Sequence, residues 1–452
     1  MNRTYIRITA IFAVIIATIL CLPSSWAKYL TNDAYKMDVQ VLANPSPIFK
    51  TNNSTTDYSN TPVVIPIEKT GYYSVITKGG DGGAGICVYG SKELSTIVGG
   101  TGGLVSVKVW LVEGSNLVVY IGHNGGKATI GEGGSAGSVK TIGSGGRGDD
   151  GGESFSGIAK LFSHTAASGG GGAATTVFVE GSSVNASSYN PNYSNLLSIA
   201  AGGGGGGAWS QYFSYPNTAR NLTTLNTVPA GIGGPGGSNV IGNNKTSSSI
   251  SENIFNGDDG KLGSFLPSDG NGVGKDAGKY VVRINPNYTE YGGGGSTSGG
   301  TAAKSEKTWR ITCSGKDGGG FSDSNSAGSG GDSTSYGGAG GGGYCGGASG
   351  SGTSIYYSAG GGGGGSSFFT SKNVNGKAVT TYSEYSTILS SNGFSVSASS
   401  YNPQAVKKIS ESSLQDGDSS EPKYSDFSID RIYNNGSEYA EGFVMVNWLS
   451  AS

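Results

Sequence analysis

The sequence predicts an all-β fold interrupted by glycine tracts, and three observations lead there. Short runs of β-branched, aromatic and aliphatic residues recur along the chain, several with strict period-two alternation. Glycine separates them, at 84 of 452 residues, well above the usual share of about 7%. No amphipathic helical period of any length stands outside the N-terminal leader. Aromatic residues make up 10% and charged residues only 13%, the reverse of a disordered composition. No Gly-X-Y period runs through the chain, which excludes a collagen triple helix.

The leader comes first. In "MNRTYIRITAIFAVIIATILCLPSSWAKYL", Arg3 and Arg7 precede an apolar run at residues 8–22. Ser25-Trp26-Ala27 then puts small residues where a signal peptidase reads, so residues 1–27 are expected to be a signal peptide cleaved after Ala27. The run is shorter than the roughly 20 residues that span a bilayer. An uncleaved anchor is the alternative, and the only expected membrane contact. The next segment, "AKYLTNDAYKMDVQV", resembles the start of exported Gram-positive surface proteins. Residues 28–60 are polar and read as a linker or a loose N-terminal strand. Residues 61–452 read as one glycine-rich β domain, with insertions near 212–290 and 400–435.

Within that domain, strands are expected at residues 63–65 and 72–76. The clearest element follows. Val105, Val107, Val109 and Leu111 alternate with Ser106, Lys108 and Trp110, the pattern of a half-buried strand. "EGSN" makes a four-residue hairpin turn, and residues 117–121 return. Further strands are expected at 176–179, 196–200, 280–284, 308–312, 354–357, 367–370, 393–398 and 442–449. Many short strands with glycine punctuation suggest a sandwich or barrel.

Glycine tracts flank these strands: "SGGGGAATTVFV" from Ser168, "SIAAGGGGGGAW" from Ser198, "YGGGGSTSGG" from Tyr291, "SYGGAGGGGYCGG" from Ser335 and "YSAGGGGGGSSFFT" from Tyr357. Ordering poly-glycine costs the most backbone entropy of any sequence. A lone ordered tract would have only water for its polar groups. Several tracts brought together could adopt the three-residue-per-turn conformation related to polyproline II and, keeping their N–H groups, bond to one another. The alternative is a set of flexible linkers.

The flanks resemble the glycine-rich domain of the anaplastic lymphoma kinase and leukocyte tyrosine kinase receptor ectodomains, a domain also found in bacterial exported proteins. "TGYYSVITKGGDGGAG" is similar to its opening strand and Gly-Gly-x-Gly-Gly turn, and "GGTGGLVSVKVWLVEGSNLVVYIGHNGG" to its central hairpin. "GGGGAATTVFV", "LLSIAAGGGGGG" and "SAGGGGGGSSFF" resemble its paired tracts, and "EGFVMVNW" its closing strand. The pieces span residues 63–449. The resemblance implies a β-sandwich of tumour-necrosis-factor-like character with bundled poly-glycine helices inserted, and a protein ligand. It implies no kinase, since no Val-Ala-Ile-Lys, His-Arg-Asp or Asp-Phe-Gly is present.

The remaining chemistry is sparse. A net charge of −2 without a basic patch argues against nucleic acid. Outside the leader stand Cys87, Cys313 and Cys345. Cys313 with Cys345 is the candidate disulfide, and three unpaired thiols are the alternative. "GGSAG" at residues 133–137 matches a nucleophile elbow, but a hydrolase would need His123 or His164 in a pocket beside an acid. "GGRGDD" at residues 145–150 holds one copy of a calcium turn that normally works in stacked repeats. It also carries Arg147-Gly148-Asp149, an integrin-type tripeptide or simply a solvated charged turn. Trp209, Tyr212, Phe213 and Tyr215 cluster after a tract, either as a recognition tip or as a cap on the glycine bundle. No metal and no cofactor is expected. The expected function is an exported, non-enzymatic, adhesin-like or receptor-like binding module with a protein or glycan ligand. The alternative is a self-associating envelope or matrix protein.

Overall fold

In the computed structural model the described residues are 49–52, 56–89, 92–150, 166–181, 184–211, 231–234, 236–237, 265–267, 290–291, 304–305, 316–319, 328–333, 336–350, 359–369, 389–401, 427–434, 437–438 and 440–451. All belong to the unit Pro45–Ser452. They form strands β1 Phe49–Asn52, β2 Val63–Pro66, β3 Gly71–Lys78, β4 Gly85–Tyr89, β5 Lys92–Ile97, β6 Leu104–Leu111, β7 Asn116–Tyr120, β8 Thr175–Glu180 and β9 Leu196–Ala200. These are followed by β10 Trp209–Gln211, β11 Phe265–Pro267, β12 Glu290–Tyr291, β13 Lys304–Ser305, β14 Ser367–Phe369, β15 Phe394–Tyr401, β16 Phe427–Asn434, β17 Ser437–Glu438 and β18 Phe443–Ser450. Helix among the described residues is limited to single short turns. The fold is all-β, and most strand pairs are antiparallel.

Two sheets carry the core. One has the order β1-β18-β3-β6, the other β11-β14-β9-β8-β7-β2. A single cluster of buried side chains draws on both: Tyr73, Val75, Val105, Val107, Val109, Val444 and Val446 from the first, and Val63, Ile65, Leu117, Val119, Val177 and Leu197 from the second. The period of two explains the rest. On β7, Leu117 and Val119 face this cluster, while Val118 and Tyr120 join a second cluster with Phe178, Ile199, Phe368, Tyr344 and Cys345.

The described glycine tracts are buried and bonded to one another; the tract that follows Tyr291 lies outside the described residues. Along residues 202–208, the N–H groups of Gly202, Gly205 and Ala208 donate to the carbonyls of Gly342, Ala339 and Tyr336. Those of Gly203 and Gly206 donate to Gly80 and Gly83, and those of Gly204 and Gly207 to Gly234 and Gly231. Residues 79–86 repeat the scheme: Gly79 and Gly82 donate to Gly103 and Gly100, while Gly80, Gly83 and Ile86 donate to Ala173, Gly170 and Ala167. Donors three residues apart therefore reach the same neighbouring segment, itself displaced by three. Here glycine is needed for closeness, not for a left-handed backbone. Residues 202–207 show no positive φ, yet a Cβ on any of them would run into a carbonyl oxygen of a neighbouring segment.

Where β3 enters this network, Lys78 and Asp81 form a buried ion pair. The Lys78 ammonium also donates to the carbonyls of Gly79 at 3.1 Å and Ala440 at 3.2 Å. Asp81 accepts the N–H of Gly102 at 2.7 Å. The pair joins β3, the lattice and the segment leading into β18.

The structure fills in stretches that the sequence left open. In the polar stretch 28–60, read as a linker or a loose N-terminal strand, residues Phe49–Asn52 form strand β1, paired in register with β18 from Phe49↔Val446 to Asn52↔Phe443. Within the stretch read as an insertion at 212–290, Gly231, Gly234 and Gly237 donate to Ala359, Gly362 and Gly365, and β11 pairs in parallel with β14. Within 400–435, β16 pairs with β15 over eight positions. Short strands such as these are fixed by distant partners, which a local pattern does not carry. The strands expected at 280–284, 308–312 and 354–357, and the leader with Ala27, lie outside the described residues.

Candidate functional site

The side chains singled out in the sequence are not brought together. Arg147 is exposed and pairs with Asp150 at 3.0 Å. Asp149, by contrast, is 8% exposed, and its carboxylate accepts the N–H of Tyr336 at 3.1 Å. An integrin-type tripeptide needs both charges in solvent, so the burial of Asp149 removes that reading. The two neighbouring carboxylates also diverge, since Asp150 takes Arg147 and the N–H of Gly133, and they do not converge on an ion. Trp209 sits in strand β10, paired in parallel with Cys87, rather than on a loop tip. Tyr212, Phe213 and Tyr215 lie outside the described residues. Cys345 is buried in the second core cluster; Cys313 lies outside the described residues.

The hydrolase reading meets a specific geometry. The imidazole of His123 lies between two carboxylates, Nε2 at 3.2 Å from Asp57 and Nδ1 at 3.7 Å from Glu441. The nearby hydroxyl of Ser59 donates to Asp57, so the serine is bonded to the acid and not to the base. That hydrogen bond, with smaller contributions from the Ser59 N–H, Asn60 and His123, holds the Asp57 carboxyl down to about 2. A nucleophile must hydrogen-bond its base to be activated, and this arrangement does the opposite. Ser135 of "GGSAG" lies exposed on a segment bonded into the lattice through Gly134 and Gly137, not on a strand-to-helix turn. The cluster is a clasp that joins the turn before β2, the end of β7 and the segment before β18.

An aromatic cluster with a cation stands on the other face of the sheet β1-β18-β3-β6, much of which is covered, Ile76, Ser106 and Met445 there being 0% exposed. Because Tyr73 and Val75 point into the core, Tyr72, Ser74 and Ile76 point away from it. The same parity places Lys108 and Trp110 of β6, and Asn447 of β18, on that outer face. Register sets them in two adjacent rows. Tyr72 pairs with Trp110, and Ser74 pairs with both Lys108 and Asn447. The Tyr72 and Trp110 rings meet edge to face, with centroids 4.9 Å apart. The Lys108 ammonium stands 5.1 Å from the Tyr72 ring centroid, a cation–π contact. All three side chains are half-buried.

Beside this row the polar groups are fully covered. Ser74 and Asn447 are both 0% exposed. The Ser74 hydroxyl and both the amide nitrogen and the amide oxygen of Asn447 lack a hydrogen-bond partner among the described residues. Buried polar side chains are nearly always bonded, and each exception calls for an explanation. The sequence hinted at half of this site: a Trp and a Lys on the polar side of an alternating strand are unusual where small polar residues suffice. Asn447 and Ser74 carried no such signal, because only the strand register brings them together.

No protein-family model matches the chain, and no curated protein is similar to it.

Proposed function

We propose that the chain is an exported, non-enzymatic binding module of the receptor-like glycine-rich kind. On this reading it is a β-sandwich of tumour-necrosis-factor-like character whose inserted tracts are poly-glycine II-type helices. The core cluster shared by the two large sheets supports the sandwich. The repeat of every third donor to one neighbour supports the helices, since a three-residue turn returns each N–H to the same direction. The leader supports export.

The observation that carries the binding function is the half-buried Tyr72–Trp110–Lys108 cluster on β3 and β6. Aromatic side chains offer large contact area at low entropy cost, which is why they dominate recognition surfaces. The test is retention of the purified secreted chain on immobilised extracellular-matrix proteins, bacterial and animal cell surfaces and oligosaccharides. Saturable retention on one of them, reduced in Trp110→Ala at unchanged melting temperature, is expected. No retention on any surface would overturn the reading.

A further inference from the structure

Strand β6 ends its sheet, in the order β1-β18-β3-β6, and its outer edge changes along its length. At the lattice end Leu104 and Ser106 are covered, at 2% and 0% exposed. Toward the hairpin the chain emerges: Lys108 and Trp110 are half-buried, and Val112 just beyond them is 57% exposed. The N–H of Gly79 donates to the carbonyl of Gly103 at 3.0 Å, which continues the register of β3 with β6. In an antiparallel ladder every second residue bonds to a given neighbour. Val105, Val107, Val109 and Leu111 therefore bond to β3, and Lys108 and Trp110 direct their N–H and carbonyl groups to the outer edge. Among the described residues, no strand pairs with β6 there and no backbone group bonds to those of Lys108 and Trp110.

An open strand edge is a template for another extended chain. We infer that the edge at Lys108 and Trp110 takes an extended peptide of a partner protein by strand addition, with a peptide carboxylate against the Lys108 ammonium and an apolar side chain against Trp110. The inference rests on the binding-module reading above and names the kind of ligand. Lys108 and Trp110 stand two residues apart on one face of the sheet, so the acidic and apolar residues of the peptide are two apart as well. Backbone bonds to the edge supply affinity whatever the sequence, and the two side chains supply the choice. Tyr72 holds both in place. Its ring meets Trp110 edge to face with centroids 4.9 Å apart, and the Lys108 ammonium stands 5.1 Å from its centroid. Side chains set beforehand lose less freedom when a ligand arrives. Among the described residues no carboxylate pairs with Lys108, which leaves its charge for an acidic partner. A second copy of β6 would not supply one, because "LVSVKVWL" holds no acidic residue.

The test presents a phage library of random linear peptides to the full secreted chain, and the retained peptides are synthesised and titrated. They are expected to bind saturably and to share an acidic residue two positions from an apolar one. A scan of N-methylated backbones then reads the mode of binding on the unaltered protein. Methyl groups on alternate amides of the binding stretch should weaken it by about tenfold, each removing one hydrogen bond to the edge, and those between them should have little effect. Trp110→Ala should weaken binding by about tenfold or more, as removal of an aromatic anchor does. Lys108→Glu should reject the acidic peptides and admit their lysine counterparts, through like-charge repulsion. If peptides bind without alternating sensitivity to N-methylation, or bind Lys108→Glu as they bind wild type, the inference falls. If the chain instead sediments as a dimer that Trp110→Ala dissociates, the edge belongs to a second copy and the inference falls. If no linear peptide binds while retention on a protein-coated or cell surface still depends on Trp110, strand addition falls and the binding module stands. If no peptide binds and no surface retains the chain, both fall together.

Discussion

At Gly205 a methyl group would have nowhere to go: an added Cβ would overlap the carbonyl oxygen of Gly169, with backbone on every near side. No flexible side chain can move aside, so Gly205→Ala is expected to cost about 1–3 kcal/mol in chemical denaturation. Gly181 is the internal control. A Cβ there meets nothing within 4 Å, and Gly181→Ala should stay within about 0.5 kcal/mol of wild type. Charge at the lattice entrance acts by a different route. Lys78→Met would leave the Asp81 carboxylate buried without its cation, and the loss should reach about 3–5 kcal/mol. Asp57 gives the pH dependence its sign. Its folded pKa of about 2 lies below the ordinary 3.8, so its contribution is complete above the ordinary value and is lost as pH falls through about 2. The side chain is 53% exposed, so solvent screens the effect. Denaturation midpoints in Asp57→Asn should lose that acid limb while matching wild type in shape above pH 4.

At the scale of elements, the β6–β7 hairpin was fully legible, because strict alternation and a four-residue turn are local signals. The structure starts β6 one residue earlier, at Leu104, and shifts the return strand by one, to Asn116–Tyr120. That glycine tracts recur beside strands was also legible. Which tract bonds to which was not, because glycine has no side chain in which to encode a partner: Gly203 reaches Gly80 and Gly204 reaches Gly234 with no difference in sequence to separate them. The short strand β11 escaped for a related reason, being defined by pairing with β14 far along the chain, and β1, in a stretch read as a linker or a loose strand, takes its register from β18. The candidate site fell between these cases. Trp110 and Lys108 were visible on the polar side of a strand, whereas Ser74 and Asn447 became part of a site only through register. The lattice itself makes a prediction at this scale. Amide exchange across residues 202–207 should be as slow as across β6 and β7, since every one of these N–H groups has a backbone acceptor and lies buried. Exchange at random-coil rates would mean that the tracts are linkers, and the poly-glycine reading would be lost with them.

For the whole molecule, the question is whether a chain with so many generic backbone donors stays alone. Backbone hydrogen bonding between glycine segments is indifferent to sequence, so tracts of two copies could pair as readily as tracts of one. What opposes this is saturation. Tracts 202–207 and 338–347 are buried within the chain, and their N–H groups already reach internal carbonyls: Gly341 to Gly363, Gly342 to Gly172 and Gly347 to Gly341. Breaking these to make the same bonds with another copy gains nothing in hydrogen bonding and costs association entropy. The net charge of −2 adds only weak repulsion between copies, so the argument rests on saturation alone. Sedimentation of the secreted chain over a hundredfold range of concentration is therefore expected to give one discrete species of constant mass. Growth into larger particles with concentration would show that lattice edges remain open between copies. The self-associating matrix reading would then replace the binding module.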